Sequence, residues 1–266
     1  SGAPPLVSYQ AFGGDSRETN SQIPEPFHST VNLTALEVES HLGFATFTTS
    51  TSYYETQAQA RNDFSGFYRS FPFYTTVYGN SPRFVAIGLD DYNAKGFAQE
   101  LRLSSDSEGS LKWVAGAFYQ RRRTDTVNQQ YVPGYSDFFA ACSANPAATV
   151  PCGFGTYYPQ IRNFGPVPNA KDFAYLNNST VLYKELAVYG EVEWRITPQW
   201  RLTGGIRGYH QTSDNSEVGG LLFLGPTGFG GAALSTSGSG ALYKGGVSYD
   251  ITPSMMAYAI YSEGMR

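Results

Sequence analysis

The sequence predicts an all-β protein: a transmembrane, antiparallel up-and-down β-barrel, of which this chain supplies about eight strands. Three observations carry the prediction. Apolar and polar residues alternate one by one over long stretches; charge is scarce while Tyr and Gly are abundant; and tight turns take turns with long connections.

The alternation is clearest in one hairpin. Leu186, Val188, Gly190, Val192, Trp194 and Ile196 fall on one face, and Glu185, Ala187, Tyr189, Glu191, Glu193 and Arg195 on the other. The return strand sets Trp200, Leu202, Gly204 and Ile206 against Arg201, Thr203, Gly205 and Arg207. Successive side chains of a strand point to opposite faces, so one face is apolar and the other carries charge. This hairpin and a later one both stop at the same tripeptide, Ile196-Thr197-Pro198 and Ile251-Thr252-Pro253, which marks two hairpin tips.

Composition points the same way. Charged residues make up 15% of the chain, against roughly 25% in soluble domains. Aromatics also reach 15%, with 20 Tyr and 18 Phe, and there are 29 Gly. No run approaches the roughly 18 apolar residues of a spanning helix, and the mean hydropathy is −0.31. A barrel wall has this composition because only alternate residues face lipid. A net charge of −4 and a pI near 5.4 argue against a nucleic-acid partner, which favours a basic face.

In chain order, the first hairpin pairs roughly 31–40 with 44–56 and turns at His41-Leu42-Gly43. The second pairs 97–104 with 111–121 around Ser105-Asp106-Ser107-Glu108-Gly109. The third and fourth are the two Ile-Thr-Pro hairpins, at about 180–211 and 242–263. Between them lie long connections, 57–93, 122–179 and 212–240, the last containing Ser237-Gly238-Ser239-Gly240, which reads as flexible loop. In an up-and-down sheet this rhythm puts every short turn at one end and every long loop at the other, as in outer-membrane barrels. The run from Thr180 to Ile196 is long enough to cross an apolar band of about 25 Å and project beyond it. Trp113, Trp194, Trp200, Tyr249 and Tyr258 lie close to the short turns and are expected to form an interfacial girdle; packing in a soluble core is the alternative.

At this point the residues resemble a known family, the barrel of TonB-dependent outer-membrane receptors. The resemblance is carried by Phe97-Ala98-Gln99-Glu100-Leu101-Arg102-Leu103-Ser104 and Trp113-Val114-Ala115-Gly116-Ala117-Phe118-Tyr119. It continues in Leu186-Ala187-Val188-Tyr189-Gly190-Glu191-Val192, Leu202-Thr203-Gly204-Gly205-Ile206-Arg207 and Ala259-Ile260-Tyr261-Ser262-Glu263-Gly264. It covers roughly 31–266 and is strongest from Phe97 onward.

The resemblance implies a barrel of about 22 strands with an N-terminal plug inside it. No segment here resembles that plug or the TonB-contacting box, and no closing strand ends in an aromatic residue. The expectation is therefore an internal part of the barrel spanning 1–266, with plug and C-terminal strands lying elsewhere. The chain opens Ser1-Gly2-Ala3-Pro4-Pro5, without a signal peptide, so either one has been cleaved or the chain begins inside a longer protein. The implied function is energy-coupled uptake of a scarce small molecule: a ferric siderophore, haem, cobalamin or an oligosaccharide. The implied setting is the bacterial outer membrane, long loops outside and short turns in the periplasm. The implied partners are the TonB complex, reached through the plug, lipopolysaccharide and outer-membrane lipid. An iron chelate would be cargo, and no intrinsic cofactor is expected.

Candidate ligand contacts are Arg121, Arg122 and Arg123, where a strand should emerge outside, and the loop residues Tyr131, Tyr135, Tyr157 and Tyr158. Three adjacent cations suit an anionic ligand or lipopolysaccharide phosphates, and tyrosines stack on sugars or aromatic chelators. The alternatives are a solvated charge run and loop packing. Glu185, Glu191, Glu193, Arg195, Arg201 and Arg207 are expected to form a polar lumen wall rich in ion pairs. Cys142 and Cys152 are expected to close a small loop as a disulfide, with a pair of free thiols as the alternative. His28, His41 and His210 are scattered without metal-ligand spacing, and no catalytic constellation appears. Two other readings compete: a passive porin-type channel without a plug, and a soluble extracellular β-sandwich that binds carbohydrate.

Overall fold

The computed structural model describes residues 21–69, 85–106, 109–133, 172–221 and 229–264. Among the described residues, eight strands form one antiparallel sheet in chain order. They are β1 (Phe27–His41), β2 (Ala45–Asp63), β3 (Ile87–Ser105), β4 (Leu111–Tyr131), β5 (Phe173–Arg195), β6 (Trp200–Leu221), β7 (Phe229–Thr252) and β8 (Met255–Ser262). One short helix, α1 (Ser65–Arg69), which the sequence did not signal, follows β2. A sandwich needs two facing sheets. The described strands make one continuous meander, so the soluble sandwich reading is set aside.

The tight turns fall where Gly and Pro place them. The first holds Gly43 at φ 88°, in the left-handed region a side chain disfavours, and Leu42 N donates to Ala45 O at 2.8 Å. At the Ile-Thr-Pro tip, Ile196 N donates to Trp200 O at 3.0 Å, and Thr197 Oγ1 accepts from Trp200 N at 3.1 Å. A register irregularity between Asp250 and Thr252 marks the second such tip.

The strands are longer than the sequence indicates, and the long connections correspondingly shorter. β2 runs on through 57–63, β3 begins at Ile87, and β4 continues through the arginine triplet to Tyr131. Only 64–86 and 132–172 remain as long connections, and β6 and β7 are separated by 222–228 alone. Ser237-Gly238-Ser239-Gly240 is not loop at all. It lies inside β7, with Ser239 opposite His210 and Gly240 opposite Tyr209.

The register fixes the two faces. Glu185 lies opposite Gln120 and Gln211, so the face of Glu185 also carries Glu100, Arg122, Tyr189, Arg207 and Lys244. The other face carries Leu101, Trp113, Tyr119, Leu186, Val188, Leu202 and Tyr243. Many large apolar side chains of that second face stay open: Leu186 is 55% exposed and Val188 60%. In a barrel that meets lipid this is the expected outward face, and the polar face turns inward.

The apolar band is bounded on both sides by rings. Toward the short turns stand Trp113, Trp194, Trp200 and Tyr249, with Trp200 and Tyr249 in register and their centroids 4.6 Å apart. Toward the long connections stand Tyr53, Phe97 and Tyr119, the last two 6.4 Å apart. Between the margins, β4 spends 111–119 and β5 186–194, a rise of roughly 20 Å at a tilt of about 45°. Tyr258 does not join the girdle. It lies opposite Ser248, on the inward face, because the irregularity after Asp250 sets the parity of β8.

Candidate functional site

Side chains of the inward face interlock across the middle of the sheet. Arg207 Nη2 donates to Glu185 Oε1 at 2.7 Å, and the Tyr183 hydroxyl donates to Glu185 Oε2 at 3.0 Å. The Arg122 guanidinium lies 5.7 Å from the centre of the Tyr183 ring, and that of Arg207 lies 5.4 Å from the Phe118 ring. The Tyr189 hydroxyl donates to Glu100. Nearer the short turns, Lys244 Nζ sits 2.8 Å from Glu191 Oε2, and Arg201 Nη2 donates to Asp250 Oδ1 at 3.0 Å.

Glu185, Glu191, Arg201 and Arg207 thus occupy the polar wall as ion-paired residues, as the sequence indicates, although Glu191 and Arg201 find partners on β7. Glu193 and Arg195 share this face by register. Tyrosines also shape the wall. Tyr54, Tyr189 and Tyr209 each stand directly opposite a glycine of the neighbouring strand, Gly96, Gly116 and Gly240 respectively. A Cβ at Gly116 would come within 2.5 Å of Tyr189 Cζ, so the absence of a side chain is what lets the ring lie down. The counts of Tyr and Gly in the sequence hint at such pairs, but only the register reveals them.

Glu185 is 7% exposed. It accepts from Arg207, so removing it leaves that guanidinium without its carboxylate partner. Glu185→Leu in the full-length protein is expected to cost about 1–3 kcal/mol. The measurement is the temperature at which the compact band of an unboiled sample disappears on a gel. Glu185→Leu/Arg207→Leu should recover part of that loss; a double variant worse than the single one would remove the pair from the account.

At the end carrying the long connections, α1 leans on the inward face. Tyr68 is 2% exposed and its hydroxyl donates to Gln130 Oε1 at 2.6 Å; burial pushes its pKa up. Asp63 Oδ1 accepts from Ser65 N at 2.8 Å, and Ser65 Oγ accepts from Ala86 N at 3.0 Å, which closes the ends of this connection. Phe64 lies over Gly88, and Phe67 packs edge-on against both Phe64 and Tyr68. Aromatic side chains therefore sit above the polar wall, on the lumen side.

The predicted ligand residues are distributed differently from the sequence reading. The arginine triplet is inside β4, not in a loop, and the pleat splits it: Arg122 faces inward while Arg121 and Arg123 face outward. Tyr131 ends β4 on the outward face, its hydroxyl donating to Gln129 Oε1 at 3.0 Å. Tyr135, Tyr157, Tyr158, Cys142 and Cys152 lie outside the described residues. Outward of Arg121 and Arg123 the sequence missed two further cations, Lys95 and Lys184, because they stand on other strands and meet only through the register.

Among solved structures, the chain is similar to the ferric yersiniabactin uptake receptor of Yersinia pestis, with TM-score 0.60 and 14% identity over 90% of this chain and 29% of that one. It is also similar to a siderophore receptor of Acinetobacter baumannii, with TM-score 0.54 and 15% identity over 89% of this chain and 32% of the other. The ferric-catecholate import receptor of E. coli K12 in its open form gives TM-score 0.54 and 19% identity over 92% and 36%. At these identities the likeness speaks to fold, and the chain spans about a third of the length of those receptors. A search of curated proteins finds no match. The family described as TonB dependent receptor-like, beta-barrel, matches residues 32–266. With an eight-stranded meander, one face apolar between two aromatic margins and the other ion-paired, the chain belongs to the TonB-dependent receptor β-barrel family.

Proposed function

We propose that this chain is part of the wall of an outer-membrane receptor that takes up a scarce small molecule, a ferric siderophore in the first instance, with energy supplied through TonB. The observation that carries the proposal is the inward face. Its ion pairs, Glu185–Arg207, Glu191–Lys244 and Asp250–Arg201, form a hydrogen-bonding wall too polar for lipid. Such a wall suits a lumen that holds a folded plug. The aromatic group on α1, above that wall, suits the capture of a chelate carrying aromatic rings. In this reading the end with the connections 64–86 and 132–172 faces outside, and the short turns face the periplasm.

The test is uptake of radioactive iron by cells that carry the full-length gene and lack their other iron receptors. Iron offered on catecholate and on hydroxamate carriers should enter in a TonB-dependent way for at least one carrier, with no entry in a TonB-null strain. Solute entry of equal rate in both strains would favour the passive channel instead.

A further inference from the structure

From the level of Tyr53 toward the long connections, the inward face of β1 is apolar. Phe27, Val31 and Leu33 lie there, opposite Ala60, Thr56 and Tyr54 of β2, and are 66%, 63% and 69% exposed. His28, Thr30 and Asn32 take the outward face of the same stretch. This reverses the order within the band, where Leu36 and Val38 of β1 face outward. Beyond the band both faces meet water, so neither lipid nor the ladder calls for three large apolar side chains on the lumen side. A strand added along the free edge of β1 would lie beside them in the same sheet, not over them. An apolar strip held open in this way marks a binding surface.

The strip leads to a cation. Leu33, Tyr54, Gly96 and Arg122 form one register row across β1 to β4. The Tyr54 ring occupies the space that a Cβ at Gly96 would fill, so the floor between Leu33 and Arg122 is an aromatic ring. Three strand spacings separate the ends of this row, roughly 14 Å. Arg122 is exposed, and among the described residues no carboxylate pairs with it; its guanidinium has only the Tyr183 ring, at 5.7 Å. Arg201 and Arg207, nearer the short turns on the same face, are both ion-paired.

We infer that the cargo is an amphiphilic anion: a chelate whose negative group meets Arg122 and whose apolar chain runs over Tyr54 onto Leu33, Val31 and Phe27. The inference rests on the uptake reading and names its substrate class. The guanidinium supplies a forked, permanently charged donor for a carboxylate. From Leu33 to Phe27 the strip extends along β1 for roughly 20 Å, room for a long alkyl chain. Ser29 lies within it, but Ala58 and Tyr92 continue the row of Ser29 and keep the surface apolar there. A compact hydrophilic chelate would match neither the length nor the polarity of this surface.

The test is binding to the full-length protein purified in detergent, read by quenching of its tryptophan fluorescence. Three ferric complexes are compared: an anionic citrate-hydroxamate chelate carrying a dodecanoyl chain, the same chelate without the chain, and an uncharged trihydroxamate carrying the chain. Wild type should bind the first at least tenfold more tightly than either of the others. Val31→Gln/Leu33→Gln should lose the preference for the chain, Arg122→Gln should lose the preference for the anion, and both variants should keep the compact gel band. The chain enters detergent equally whichever protein is present, so the comparison between variants reads the site. Equal binding of the acylated and unacylated complexes by wild type, a chain preference that survives the double substitution, or no binding at all would overturn the inference. A segment of the full-length chain seated on the strip predicts instead that the double variant melts lower and that wild type binds all three complexes alike, which would overturn it too. TonB-dependent iron entry in cells is measured separately. Entry with equal binding of the three complexes would remove the amphiphile and leave the uptake reading standing; the expected preferences without TonB-dependent entry would do the reverse.

Discussion

Val188→Arg is expected to be the most damaging single change on the outward face. Val188 is 60% exposed, stands between Ala117 and Gly208 on the neighbouring strands, and lies within the apolar band between Leu186 and Trp194. An arginine at the lipid face near the midplane costs about 2–4 kcal/mol, falling toward zero at the interfaces. From 188 the side chain must climb past Leu186 to reach the level of Lys184, so snorkelling relieves only part of that cost. Thr203→Arg is the control. Thr203 lies on the inward face opposite Glu193, where a cation gains a carboxylate rather than losing water to lipid. In the full-length protein, Val188→Arg should lower the melting of the compact gel band and reduce the amount inserted in the membrane, while Thr203→Arg leaves both near wild type. Equal tolerance of the two substitutions would mean that the two faces do not differ in solvent, and the assignment of lipid to the Val188 face would fall.

The same contrast explains how far the sequence could be read. Inside the apolar band, lipid on one side and polar groups on the other impose a strict period of two, and every hairpin was found where that period runs. Beyond the band both faces meet water. The stretch Gln57-Ala58-Gln59-Ala60-Arg61-Asn62 has no apolar side to reveal, although its backbone pairs residue by residue with 88–93. A ladder satisfies its N–H and C=O groups whatever the side chains are, so strands continue where the pattern stops. That is why the three connections are shorter than the alternation alone indicates. Ser237-Gly238-Ser239-Gly240 failed for a related reason: composition favours a loop, but the partner strand supplies Tyr209 to cover Gly240, and pairing overrides local preference.

The site was legible where its residues share a strand or one tight hairpin, as Arg201 and Arg207 of β6 do with Glu185 of β5. Glu185, Glu191 and Glu193 sit two apart on β5 and were assigned to one wall from the sequence. The arginine triplet invites a single reading because it is contiguous, but a pleat divides any such run, giving Arg122 to the lumen and its neighbours to the outside. Lys95 and Lys184 are far from the triplet in sequence, and no local signal could join them. Register is the missing quantity, and a one-residue slip would have exchanged every residue between faces.

Register also sets the second large effect, at Gly116. Its missing side chain is the floor on which the Tyr189 ring lies, and that ring carries the hydroxyl bound to Glu100 two strands away. A Cβ built there would stand 2.6 Å from Tyr189 Oη and 2.8 Å from the backbone oxygen of Leu101. The ring can swing, but the carbonyl belongs to the ladder and cannot. Gly116→Val should therefore both overpack the wall and break the Tyr189–Glu100 bond, a loss on the order of 3 kcal/mol. Gly204→Val supplies the comparison, since a Cβ at Gly204 meets nothing within 4 Å and valine favours strands. Its effect should stay within about 0.5 kcal/mol. Tyr189→Phe separates the two parts of the Gly116 effect: the ring stays on its glycine and only the hydrogen bond is lost, so it should cost about 1 kcal/mol. If overpacking dominates, Gly116→Val/Tyr189→Ala will melt higher than Gly116→Val alone, because the new side chain then enters the space the ring has left. A double variant that melts lower than either single one would show the ring supported by something other than its glycine, and the Tyr-over-Gly account of this wall would have to be abandoned.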